Sequence, residues 1–231
     1  MNAVSNIWNN LNWSVLTDIL IRIVPALLCI TLHELSHGYV AYLLGDTTAR
    51  DAGRLTLNPI RHLDPMGLVM MVAFRFGWAK PVPVNMYRFR DPKRGMALTA
   101  LAGPGANLVI GVVFLFLYGV LYYPIYVRGA RSLLWVLEMV ETTAWLSLAM
   151  MIFNLLPISP LDGSKVAYSF LSDHAYEMLM RYERYGMIAL FALVWSGILG
   201  SPLSTATEWV YDKLFVVAEG GFKLYKVLAG L

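Results

Sequence analysis

The stretch VLTDILIRIVPALLCITLHELSHGYVAYLL, from Val15 to Leu44, is predominantly apolar and decides the fold. At 1.5 Å of rise per residue it is long enough, as a helix, to cross a bilayer with tilt. Gly45 and Asp46 end it. Near its far end stand His33-Glu34-Leu35-Ser36-His37, an H-E-x-x-H pattern. A helix turns roughly 100° per residue, so His33 and His37 share a face one turn apart and can ligate one Zn²⁺. Glu34 lies beside that pair, placed to act as a general base on a metal-activated water. Ionisable side chains are expensive in a membrane helix and usually mark function there. The stretch therefore points to hydrolytic metal chemistry inside a bilayer.

Composition agrees. The chain has 231 residues, 58% hydrophobic and 14% charged, against about 25% charged for soluble domains. This is an integral membrane protein, all-α and polytopic, and its length suits a single domain over 1–231. A net charge of +3 is small for a nucleic-acid binder, and the basic residues are better explained by topology. The sole cysteine, Cys29, excludes an intramolecular disulfide. It reads as a small buried residue one turn before His33. No Lys or Arg precedes the first span, as a signal peptide would require, so that segment is expected to be retained.

Further spans are expected over about 95–123 and 133–156, with a fourth centred on 186–199. Tyr118, Tyr122, Tyr123 and Tyr126 resemble an interfacial aromatic belt. A fifth apolar stretch, 206–228, carries Glu208, Asp212, Lys213 and Glu219, and either spans or lies along the surface. Between the first two spans, Arg54–Pro59 and Pro81–Asn85 alternate like short, proline-limited strands. The apolar piece from Met66 to Ala79, which contains Arg75, is too short for an ordinary crossing and suits a re-entrant or interfacial segment. The expected architecture is a three-helix core at about 15–170 with membrane-associated strands or a re-entrant segment. About two peripheral helices follow over 171–231.

Basic residues set the orientation. Arg50, Arg54, Arg61, Arg75, Lys80, Arg88, Arg90, Lys93 and Arg94 crowd the region 46–95. The positive-inside rule places that region in the cytoplasm and the amino terminus outside. The metal motif then sits near the cytoplasmic end of span one.

A catalytic zinc usually takes three protein ligands and keeps one position open. The remaining histidines, His62 and His174, fall in polar connections where a surface role suffices. Asp162 is the better candidate. Pro157 and Pro160 break the end of span three, leaving Asp162 on irregular backbone on the same side as His33 and His37. The alternative is that Asp162 caps a helix starting near Gly163.

With these residues in view, the chain resembles the site-2 protease family of intramembrane zinc metalloproteases. The resemblance covers most of residues 30–170. It rests on His33-Glu34-x-x-His37 and Asp162-Gly163, and on the ordered motifs Asn58–Gly67, Gly77–Asn85 and Ala102–Asn107. It implies His33, His37 and Asp162 as ligands of one Zn²⁺ per chain, and Glu34 as the catalytic base. It also implies that Asn154 lies near the metal and helps hold substrate or the oxyanion; the alternative for Asn154 is a helix–helix hydrogen bond. Asn107 is expected to support packing, with Gly103 and Gly105 allowing close helix approach. The implied substrate is a transmembrane protein cut in or near its membrane segment, at the cell membrane and towards the cytoplasmic side. Neither a PDZ domain nor paired CBS modules fit in this chain, so the resemblance is to compact members. The sequence leaves room for a homo-oligomer or an accessory membrane partner. Two rivals belong to other classes: a catalytically silent metal-binding scaffold or regulator, and a metal transporter. A silent relative would typically have lost Glu34 or a ligand, and a transporter would spread polar residues along several spans.

Overall fold

A computed structural model describes residues 13–74 and 77–231. Residues 1–12, which charge places on the side opposite the cytoplasm, and Arg75 lie outside the described residues.

The chain is helical. α1 (Trp13–Leu43) carries the H-E-x-x-H motif and ends at Gly45, whose φ of 103° few other residues adopt. The short α2 (Thr48–Asp51) follows. α3 (Pro65–Phe74), at about 15 Å, covers only half the hydrocarbon thickness of about 30 Å. The chain then doubles back: Gly67 lies so close to the Trp78 backbone that a Cβ would collide with its carbonyl, and Leu63 pairs antiparallel with Ala79. A piece this short that turns back fits a re-entrant and an interfacial segment alike.

α4 (Pro92–Tyr122) starts at an Asp-Pro pair. Asp91 accepts a hydrogen bond from the Arg94 N–H, and Pro92 occupies a first-turn site where no donor is needed. α5 (Leu134–Asn154) is followed by the proline-broken loop 155–161, the short α6 (Asp162–Tyr168), then α7 (Asp173–Trp195) and α8 (Gly200–Leu228). Among the described residues, three helical stretches are long and apolar enough to cross a membrane: Thr17–Leu43, Pro92–Val127 and Arg131–Asn154. The end of α7 from Tyr185 meets α8 at an 85° bend, and by length and composition the pair fits either one broken span or a re-entrant loop.

α4 is the hub, packing on α1, α5 and α8. Lipid tails are as apolar as leucine, so burying side chains between helices gains little hydrophobic energy, and close packing must hold the bundle. Glycines supply the approach. Gly111 sits where a Cβ would be 2.6 Å from Leu148 of α5, and Gly119 and Gly221 bring the α4 and α8 backbones together. Leu115, Ala144, Leu148, Met151 and Ala218 form the resulting core. Outward-facing Ile19, Ile23, Val109, Val113 and Trp209 are exposed, as a lipid-facing surface requires.

The two expected strands form no ladder: among the described residues the only bridge is the one at Leu63 and Ala79. Pro59, Pro81 and Pro83 lack the donors a ladder needs. Side chains serve this backbone instead. Arg54 donates to the Lys80 carbonyl (2.7 Å), Glu34 accepts from the Val82 N–H (2.9 Å), and Asp46 accepts from the Asn85 N–H (2.6 Å). Gly38 lets the extended segment lie against α1, since a Cβ there would be 2.9 Å from Val82. Gly105, expected at a close helix contact, is exposed with open space around it. Its neighbour Gly103 takes the contact.

Candidate active site and metal centre

The i, i+4 spacing on α1 places the two imidazoles edge to face, ring centroids 4.6 Å apart, with their Nε2 atoms 3.0 Å apart. Both rings are buried. Asp162, at the first turn of α6, closes the triangle: its Oδ2 lies 3.2 Å from His33 Nε2 and 3.2 Å from His37 Nε2. The capping alternative is not what the side chain does. The residue in the cap position is Leu161, and Asp162 turns towards the histidines instead.

The triangle fits a metal. Zinc–ligand bonds of about 2.0–2.2 Å in a tetrahedron put neighbouring donors about 3.3 Å apart, close to the 3.0 and 3.2 Å edges here. Asp162 Oδ2 is buried and receives no hydrogen bond of good geometry from the described residues. Burial opposes ionisation of Asp162, but the two imidazoles beside it hold its carboxyl below the usual carboxylate range. A carboxylate and two ring nitrogens turned towards one point, away from water, make a cation-binding donor set. Among the described residues it is the group of His, Cys, Asp and Glu side chains that could hold a metal.

The triangle borders a cavity of about 380 Å³, also lined by Glu34, Asn154, Val82, Val84, Lys165 and Glu183. Glu34 is fixed by its bond from the Val82 N–H. Asn154 borders the same space, and its Nδ2 donates to the Met150 carbonyl at 3.0 Å, within its own helix rather than across to a neighbour. Met180 and Glu183 of α7 also line the cavity, and α7 is tethered by Lys165–Glu183 at 3.6 Å and Lys93–Asp173 at 3.0 Å.

The other candidates lie apart from the triangle. Cys29 is fully buried, its Sγ 3.7 Å from the Thr143 carbonyl. His174 is exposed. His62, expected to have no more than a surface role, is instead fully buried, with Nε2 2.9 Å from the Thr56 carbonyl; it pins the loop before α3. Three residues of α4 contribute beyond the sequence reading, which marked Asn107 and Gly103 for packing and close helix approach and did not mark Thr99. The Thr99 carbonyl lies 2.7 Å from His37 Nδ1, and the Asn107 amide lies 3.1 Å from His33 Nδ1. Gly103, between them, leaves room for both rings. Their four-residue spacing on an otherwise apolar helix is the signal that marks them.

Comparison with known proteins places this geometry. The sequence model of Peptidase family M50 matches residues 22–196. The chain belongs to peptidase family M50. This is the site-2 protease family, so the chain is a membrane-embedded zinc metalloprotease. A relative, "Putative zinc metalloprotease YwhC" of Bacillus subtilis, is 36% identical over 195 residues, covering 81% of this chain and 83% of the relative. "Putative zinc metalloprotease Rip2" of Mycolicibacterium smegmatis is 27% identical over 203 residues, covering 84% and 76%. Its namesake in Mycobacterium tuberculosis is 29% identical over 192 residues, covering 80% and 71%. No solved structure matches.

Proposed function

We propose that this M50 peptidase hydrolyses peptide bonds in or near the transmembrane segments of membrane proteins, as a step in regulated intramembrane proteolysis. One zinc is held by His33, His37 and Asp162. The single observation that carries the proposal is the convergence of those three donors in a cavity that also borders Glu34 and Asn154, at the end of an apolar helix. Positive-inside topology favours a cytoplasmic-side opening.

Zinc bound there supplies Lewis acidity and a water whose pKa is lowered towards about 7. Glu34 takes the proton of the attacking water and later delivers it to the leaving amide nitrogen. The Val82 N–H, which donates to Glu34, fixes one carboxylate oxygen and leaves the other free for proton transfer. Asn154 needs only a side-chain rotation away from Met150 to aim an N–H at the carbonyl oxygen as charge develops on it. A helical substrate hides its carbonyls in its own hydrogen bonds, so the scissile segment must unwind. The extended backbone at Val82 to Val84 lines the cavity where that segment would lie.

The test compares membrane-protein fragments in cells carrying the wild type or Glu34→Gln, matched for expression and bound zinc. The amide keeps the shape but cannot take the proton. Fragments ending at membrane-embedded bonds, present only with the wild type, are expected. Identical fragments from both would refute the role of Glu34.

A further inference from the structure

Thr99, Gly103 and Asn107 recur every fourth residue on the face of α4 turned to the histidines. At Thr99 the arrangement is complete: its backbone carbonyl can accept only from a protonated His37 Nδ1, which leaves Nε2 with a free lone pair. His33 needs the same arrangement, because a ring that offers Nε2 to a metal must carry its hydrogen on Nδ1. The partner beside His33 Nδ1 is the Asn107 side chain. Asn107 is fully buried, and its Oδ1 has no hydrogen-bond partner among the described residues. Half a turn about the last side-chain bond exchanges the amide oxygen and nitrogen at nearly constant shape. That turn gives His33 Nδ1–H its acceptor and gives Oδ1 its donor. The residue is well braced: Ser147 of α5, also fully buried, donates to the Asn107 backbone carbonyl at 2.9 Å.

We propose that Asn107 is a positioning residue for His33. Its side-chain oxygen accepts the Nδ1–H, selects the tautomer with Nε2 free, and fixes the ring plane, as the Thr99 carbonyl does for His37. One helix thereby sets both imidazoles. This inference rests on the reading of His33 as a metal ligand.

The experiment uses the full chain in detergent. It compares wild type, Asn107→Leu, Asn107→Asp and His33→Ala. Zinc affinity is read by competition with a chromophoric chelator, and ligand geometry by the visible absorption of the Co²⁺-substituted protein. Leucine keeps the volume but has no acceptor; it is expected to weaken zinc about 10–100-fold and shift the Co²⁺ bands. Aspartate keeps an acceptor oxygen and is expected to bind within a few fold of wild type. Wild-type zinc affinity in Asn107→Leu, or an equal loss in Asn107→Asp, overturns the proposal. Should the leucine variant fail to fold, ¹⁵N-histidine spectra of the zinc-loaded wild type decide. A His33 Nδ1 proton shifted downfield as in a hydrogen bond to an amide oxygen supports the proposal, and a bare Nδ1, or an Nδ1 proton without that shift, overturns it. His33→Ala separates the two levels. If it holds zinc like the wild type, the ligand reading itself falls. If it loses zinc while Asn107→Leu does not, only the positioning role falls.

Discussion

Replacing Gly103 by alanine adds one methyl group between α4 and the paired histidines. Its carbon would sit 2.5 Å from His33 Cε1 and 2.5 Å from His37 Cε1. Carbon atoms in contact prefer about 3.5–4.0 Å, so each ring must give way by about 1 Å, or α4 must withdraw from α1. Neither movement is free. His37 is held from behind by the Thr99 carbonyl, and both Nε2 atoms face Asp162. Metal–ligand distances tolerate only about 0.2 Å. Overpacking of this kind costs about 1–3 kcal/mol, and each 1.4 kcal/mol is about a tenfold change in affinity. Gly103→Ala should therefore bind zinc about 10–100-fold more weakly, with hydrolysis falling in step. Gly105→Ala is the matched control, because nothing lies within 4 Å of its added carbon. Both variants are measured by chelator competition and by cleavage in detergent. Wild-type affinity and rate in Gly103→Ala, or equal damage from Gly105→Ala, would refute the packing argument.

Asp162→Ala should release zinc at neutral pH and lose hydrolysis with it; full zinc and full rate would remove Asp162 from the site. Asp46→Asn should lower stability by about 1.5–3 kcal/mol, the range for a hydrogen bond to a charged group. Burial of Asp46 opposes its charge, but bonds from the Thr48 hydroxyl and N–H and the Asn85 N–H, with Arg88 nearby, hold its carboxyl below the usual range. A depressed folded-state value gives stability that is present above the unfolded pKa of about 3.9 and lost as pH falls through the lower folded one. The gap between wild type and Asp46→Asn should close in acid, as read by thermal unfolding across that window. A gap that held constant or widened in acid would contradict the assignment.

Much of the site was legible because it obeys local rules. The helical period alone pairs His33 with His37, and prolines at 157 and 160 do end the third span before Asp162, but that residue opens the short helix α6 rather than lying on irregular backbone. What the sequence hid was tertiary. Which face of α4 meets α1 decides that Gly103 touches the histidines while Gly105 faces open space, and both lie in one short glycine motif. Alternation at 54–59 and 81–85 suggested strands, but Pro59 opens a 3-10 turn, no ladder forms, and side chains of α1 and neighbouring loops satisfy this backbone instead. His62 looked like a surface residue because its neighbours are polar, whereas its ring fills the space beneath its own loop.

The place of Asp162 in the chain has a consequence for biosynthesis. More than half of the polypeptide is made after His37, and three membrane-crossing helices have emerged, or nearly so, before Asp162 does. Until then the nascent chain carries two ring nitrogens and no carboxylate to complete the set. Under this assignment the three-donor set closes only when its scaffold is largely in place, so a partly made chain lacks the carboxylate that completes it.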